Sequence, residues 1–137
     1  MSCKSNIYVA NTSSTSVTAG STLPLGTIVR RRGFELNQSG NSVAIQDCGS
    51  NYYLVSVNAT FTAPVAGVVR IDLQQNSVNV TGATASTTIT TATTETRSLS
   101  FTAIVRTFSG TTLDSLTIAN TGVAATFSNI AMTVEKL

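Results

Sequence analysis

Apolar and polar side chains alternate one for one along several stretches of this chain. Tyr53, Val55, Val57, Ala59 and Phe61 alternate with Leu54, Ser56, Asn58, Thr60 and Thr62. The same spacing recurs at Val69, Ile71 and Leu73, and again at Leu99, Phe101, Ala103 and Val105. A period of two sends successive side chains to opposite faces of a strand, so one set is buried and the other faces outward. No segment combines a helical period with helix caps, so no helix is predicted.

Turn residues divide the pattern into elements. Asn6 to Ala10 reads as a first strand, followed by a Ser/Thr-rich connector from Asn11 to Gly20. Leu23 to Val29, punctuated by Pro24 and Gly26, reads as an irregular edge segment that Phe34 and Leu36 continue past three arginines. Gln38 to Asn41 is a turn before a short strand at Val43 and Ile45, and Gly49-Ser50-Asn51 is the next turn. A long strand from Tyr52 to Ala63 stops at Pro64, and Val68 to Gln75 follows. Asn76-Ser77 marks a hairpin, because Asn tolerates positive φ. Gly82 interrupts the strand that begins at Val78. Arg97 to Phe108, Leu113 to Ile118 and Ala124 to Val134 complete the set. Many short strands with Gly/Asn/Ser turns read as an all-β sandwich or barrel. About eight to ten antiparallel strands fit this length.

The segment from Ala83 to Thr96 is rich in Thr and Ala and poor in large apolar residues. It predicts an exposed strand with a loop rather than core. It reads either as plain surface or as a partner-facing recognition loop, with Thr87, Thr88, Thr90 and Thr91 as candidates.

The length of 137 residues points to one domain spanning 1–137, with 1–50 as irregular edge strands and 51–137 as the main strands. Such a chain buries a real core without metals or crosslinks. Charged residues make up 10%, against roughly 25% for an average domain. Ser, Thr and Asn supply the polarity instead. Such surfaces pack against other proteins at little desolvation cost, which favours an oligomer or a shell component.

The net charge of +2 predicts no strong hold on nucleic acid. The one basic cluster is Arg30, Arg31 and Arg32. It reads as an attachment point for an acidic partner, or as a solvated strand end. Cys3 and Cys48 match no zinc or redox spacing, and both a disulfide and two free thiols remain open. No apolar run follows the first residues as in a signal peptide, and no stretch approaches the ~20 apolar residues of a membrane span. The expectation is a soluble product made in a cytoplasm, without membrane contact.

The chain contains no His, so the usual serine and cysteine triads lack their base. The carboxylates Glu35, Asp47, Asp72, Glu95, Asp114 and Glu135 are scattered among different elements. Asp72 and Glu95 could meet across strands, but pairing with Arg70 or Arg97 is the simpler reading. There is no Asp-rich calcium loop and no glycine-rich phosphate loop. No cofactor and no enzymatic activity are expected. The sequons at Asn11, Asn37, Asn58 and Asn79 are what chance gives in a chain so rich in Asn, Ser and Thr.

The stretch from Tyr53 to Pro64, with Ala66-Gly67-Val68-Val69-Arg70-Ile71, resembles the central segment of the C1q/tumour-necrosis-factor-like superfamily. Val69 and Ile71 stand where eukaryotic members often carry aromatics. The closing Ile130 to Leu137 is similar to the terminal strand of that superfamily. Met1-Ser2-Cys3-Lys4-Ser5, Ala10-Asn11 and Leu25 to Arg31 look like its small phage and prophage proteins from Firmicutes. The resemblance implies a single jelly-roll sandwich that forms a tight threefold trimer. Apolar residues on outward positions then become candidates for the trimer contact: Tyr8, Leu54, Ile104, and Met132 on the last strand. The implied function is a virion structural protein of a bacteriophage, decorating a capsid or forming a head-fibre knob, with the virion as its location and a capsid protein as its partner. The alternative is a receptor- or glycan-binding module.

Overall fold

The computed structural model describes residues 4–47, 49–92, 95–107 and 113–137. These residues form eleven strands in two antiparallel sheets and no helix. In order they are β1 (Asn6–Asn11), β2 (Thr15–Val17), β3 (Thr27–Arg32), β4 (Leu36–Ser39), β5 (Ser42–Ile45), β6 (Tyr52–Thr62), β7 (Gly67–Gln75), β8 (Val78–Ile89), β9 (Arg97–Arg106), β10 (Asp114–Asn120) and β11 (Ala125–Lys136). One sheet runs β3-β1-β11-β6-β9, with β2 paired to the start of β11; the other runs β4-β5-β10-β7-β8. The two layers are the jelly roll that the strand pattern and the resemblance imply.

Alternation fixes the layers. Tyr53, Val55, Val57, Ala59 and Phe61 of β6 are all buried, as are Ile130, Met132 and Val134 of β11 beside them. From the other sheet, Val69, Ile71 and Leu73 of β7 and Leu116 and Ile118 of β10 close the core. Phe61 and Phe127 meet with ring centroids 5.7 Å apart and planes tilted by 50°, an arrangement that suits the opposed charge of ring faces and edges.

Several boundaries differ from the sequence reading. The Ser/Thr connector contains β2, since Thr15 to Val17 supplies a short ladder to Ala125–Phe127. Leu23 and Leu25 are fully buried, and Thr22 bridges to Ala119. The three arginines lie within β3, and Phe34 lies in the turn after it rather than in a continued strand. The chain does not leave its strand at Gly82. Residue Gly82 takes φ +83° inside β8, where the pairing register with β7 shifts, and the strand runs on to Ile89. Ala83 and Ile89 are core residues, contrary to the expectation of an exposed segment. The hairpin at Asn76-Ser77 has positive φ at both residues, 53° and 69°, as a two-residue turn that follows strand twist requires.

Asn120 pins the loops at one end of the sandwich. It is fully buried, and its amide donates to the carbonyls of Val17 and Val123, each at 3.1 Å, while its Oδ1 accepts from the N–H of Gly122. Cys3, Cys48 and Phe108 lie outside the described residues.

Candidate functional site: an outward sheet face and a basic edge strand

The outward face of the six-stranded sheet is built by cross-strand register. Tyr8 pairs with Thr133, Thr133 with Ser56, and Ser56 with Thr102, so these four form one row across β1, β11, β6 and β9. Ala10, Ala131, Asn58 and Ser100 form the next. Neither row contains a charge. Between them the face dips into a shallow depression of about 350 Å³, lined by Tyr8, Ser56, Asn58, Ser100, Thr102 and Thr133 among others.

Toward the end of the sheet where the chain finishes, Leu54 pairs with Ile104. Both share the outward face. Ile104 is 58% exposed, Leu54 is half-buried, and Tyr8 is 37% exposed. The sequence reading therefore placed Tyr8, Leu54 and Ile104 on one common face. Met132 is a correction. It pairs with Val9 and Val57 and is wholly buried with them. The apolar stripe of β11 is real, but its parity is that of the core; the outward residues of the same strand are Ala131, Thr133 and Glu135.

The basic cluster sits on the edge of this sheet. Arg30 pairs with Tyr8 and Arg32 with Asn6, which sends both toward the outward face, while Arg31 pairs with buried Ile7. Arg31 Nε donates to the carbonyl of Leu36 at 2.6 Å, tying β3 to the start of β4. A register shift between Tyr8 and Val9 adds one residue to β3 here, and bulges of this kind twist an edge away from further pairing.

The candidate recognition surface divides. Thr87 and Thr88 are strand residues, paired with Val69 and Val68. Thr90 and Thr91 are exposed in the turn that follows. The four do not form one loop, because β8 continues further than its composition suggests.

Two polar clusters were not legible from spacing. In the first, the Tyr53 hydroxyl stands 2.7 Å from Asp47 Oδ2 and 3.0 Å from Glu35 Oε2. Its one hydrogen serves a single acceptor at a time. The Lys136 ammonium lies 2.8 Å from Glu35 Oε2 and 3.3 Å from Asp47 Oδ2. Burial on its own would raise the Asp47 carboxyl, but hydrogen bonds from Tyr53 and the Gly49 N–H, with Lys136, outweigh it and hold the group below the usual carboxylate range. Burial, and then the bonds to Asp47 and Glu35, push the Tyr53 phenol far above its ordinary range. Glu35 raises Lys136 by more than burial lowers it, and Asp47 adds to that.

In the second cluster, Asp72 is buried and accepts hydrogen bonds from the Thr121 hydroxyl and from a terminal Arg70 guanidinium nitrogen at 3.4 Å, with Arg70 Nε in ion-pair contact 3.1 Å from its Oδ2. Burial alone would raise its carboxyl as well, but Thr121, Thr84 and Arg70 together hold it low. Glu95 is 3.8 Å from Arg97. Each carboxylate of the candidate pair therefore has its own arginine. Among the described residues, no group of three or more Cys, Asp or Glu could hold a metal ion.

Comparison of the sequence with protein-family models and with curated proteins finds no match. Solved structures do match. The chain is similar to murine APRIL, with a TM-score of 0.69 and 16% identity over 98% of this chain and 100% of that one. It is similar to the globular domain of zebrafish complement 1qA, with a TM-score of 0.60 and 10% identity over 95% and 94% of the two chains. It is also similar to the PRD1 vertex protein P5, with a TM-score of 0.56 and 12% identity over 96% and 95%. Likeness at this identity shows the fold alone: over the described residues the chain adopts a jelly roll like that of the C1q and tumour-necrosis-factor-like structures.

Proposed function

We propose that this chain is a non-enzymatic structural protein of a phage particle that assembles as a homotrimer through the outward face of its six-stranded sheet, as a capsid decoration or head-fibre protein. The observation that carries the reading is the composition of that face. Two adjacent rows across four strands contain no charge. In the next row, exposed Ile104 and half-buried Leu54 lie side by side, and the charged residue there is Glu135, on the far side of Leu54. Small neutral polar groups and a few apolar anchors desolvate cheaply, whereas a charged face would not. A threefold contact beside Ile104 would also cover the open β9 edge of this sheet, which otherwise templates aggregation, and leave the β3 edge exposed.

The likeness to a vertex protein supports the virion part of this reading. The basic edge at Arg30 to Arg32 supplies an attachment point for an acidic shell surface. The assembly is tested by light scattering coupled to size-exclusion chromatography. A mass three times that of one chain is expected, and a monomer at micromolar concentration would sink the reading. The virion location is tested by mass spectrometry of purified particles from the host, where the chain is expected at a fixed ratio to the major capsid protein.

A further inference from the structure

Glu135 is exposed on the outward face of β11, and its row across the sheet holds Asn6 on one side and Leu54, then Ile104, on the other. A contact that buries Leu54 and Ile104 therefore takes in the Glu135 carboxylate as well. We infer that Glu135 of one copy pairs with Arg30 of the next, and that this ion pair, repeated around the ring, fixes how the copies meet. The inference rests on the homotrimer proposed above. It assigns Arg30 to the contact between copies and leaves shell attachment to the rest of the basic edge.

The other carboxylates already have partners within the chain. Glu35 and Asp47 face Lys136, Asp72 faces Arg70, and Glu95 faces Arg97. Asp114 accepts from the side-chain amides of Gln75 and Asn76. Glu135 alone has no hydrogen bond or ion pair from its side chain among the described residues. Lys136 follows it in sequence but has the opposite parity, and its ammonium is turned to Glu35 and Asp47.

The cations sort in the same way. Arg31 donates to the Leu36 carbonyl, and Arg106 donates to the Ser50 hydroxyl with its guanidinium 5.9 Å from the Tyr52 ring centroid. Arg32 has a partner of its own. Arg30 has none among the described residues; it is exposed, and its pairing with Tyr8 directs it to the face that carries Glu135. Lys4 precedes β1, so no ladder holds it to that face.

Strand β1 lies between β3 and β11, so Arg30 and Glu135 are kept apart in one copy. Their backbones are roughly 10 Å apart across the sheet, twice the spacing of neighbouring strands. A ring of three is heterologous, with one patch of each copy meeting a different patch of the next. This face suits such a contact because its two sides differ. Glu135, Leu54 and Ile104 lie toward β9, and Arg30 lies at β3. A carboxylate carried unpaired into the contact would oppose assembly, whereas an arginine opposite it offsets that desolvation. The pair also rejects arrangements that set Glu135 against its own copies.

The test is the solution mass and dissociation constant of the full chain with changes at these two exposed positions. Each variant is expected to keep the far-ultraviolet circular dichroism spectrum of the parent. Glu135→Gln is expected to raise the dissociation constant about tenfold or more. A carboxylate buried in the contact without a partner would instead bind tighter when neutralised, and one outside the contact would be indifferent; either result overturns the inference. Glu135→Arg and Arg30→Glu are each expected to give single chains at micromolar concentration, and the double variant to recover the trimer. Dissociation in both single variants without recovery in the double overturns the pairing. The parent dissociation constant is expected to rise with added salt, and the Glu135→Gln constant to respond less. A monomeric parent removes the assembly and the pair with it, whereas a trimeric parent indifferent to both positions removes the pair alone.

Discussion

The Lys136 ammonium stands 2.8 Å from Glu35 Oε2, joining the end of the last strand to the turn that follows the third. Asp47 and Tyr53 complete the cluster, so four separate stretches of chain meet in one polar node. Replacing Lys136 with Met keeps most of the stem volume and removes the charge. Two neighbouring carboxylates then face each other with only the Tyr53 hydroxyl between them. The expected loss is about 1–2 kcal/mol, below the value for a fully buried pair because Glu35 is partly exposed. Urea unfolding of Lys136→Met, Glu35→Gln and the double variant measures it. A double variant that loses no more than the sum of the singles, less about 0.5 kcal/mol or more of coupling, is expected.

The same node sets the pH dependence. The carboxyls of Asp47 and Asp72 are held below their ordinary range in the folded chain. A depressed folded pKa contributes stability above the unfolded value, and that stability is lost as pH falls through the folded one. Acid destabilisation is therefore expected below about pH 4. Tyr53 and Lys136 are raised. Their contribution is complete below the unfolded values and disappears as pH climbs through the folded ones, so an alkaline limb is expected above about pH 10. With no His in the chain, stability between those limits is expected to be nearly flat. Thermal melts across the range check this. Asp47→Asn is expected to lower the plateau and flatten the acid limb, and Tyr53→Phe to weaken the alkaline one.

Alternation made the strands legible because burial on one face leaves a period of two in the sequence. Tyr53 to Phe61 and Val69 to Leu73 fall where that pattern puts them. Where burial comes from tertiary neighbours instead, the pattern misleads. Ala83 and Ile89 lie in a Thr-rich stretch, yet they are core because β8 shifts register near Gly82 and goes on pairing along β7. Met132 shows the converse. An apolar stripe on a terminal strand looks the same whether it faces a partner or the core, and only its register with Val9 and Val57 decides. Parity put Leu54 and Ile104 opposite the core stripes, but that they share one face with Tyr8 follows only from the pairing of β1, β11, β6 and β9. The node of Glu35, Asp47, Tyr53 and Lys136 was not, since it joins residues with no sequence periodicity between them.

Two glycines separate backbone strain from crowding. Gly26 has φ +74°, and a Cβ there would lie 2.2 Å from the Ala10 carbonyl oxygen and 2.8 Å from Asn11 Cα. Gly82 has φ +83° with nothing within 4 Å. Gly82→Ala is expected to cost about 1–2 kcal/mol, the ordinary penalty for a left-handed L-residue. Gly26→Ala adds a clash with backbone that can yield only by breaking the β1–β3 ladder, and about 3 kcal/mol or more is expected. Equal losses in a denaturant titration would mean that the ladder at Ala10 gives way freely.

The proposed threefold contact makes a prediction that separates interface from core. Ile104 is more than half exposed in the single chain, so Ile104→Asp is expected to leave each chain folded, with an unchanged far-ultraviolet circular dichroism spectrum. In the assembly it would place a carboxylate in a desolvated contact beside Leu54, at a cost of several kcal/mol in each of the copies. Dissociation to single chains is therefore expected, read by light scattering. Ile104→Val, which removes about one methylene, is expected to keep the trimer with a modestly raised dissociation constant. Met132→Ala is expected to behave in the opposite way. It leaves a cavity between Val9 and Val57 and costs about 2–5 kcal/mol of folding stability. Its dissociation constant is expected to stay near the parent value wherever the chain remains folded. If Ile104→Asp holds its mass while Met132→Ala dissociates as a folded chain, the contact does not lie on the outward face of this sheet.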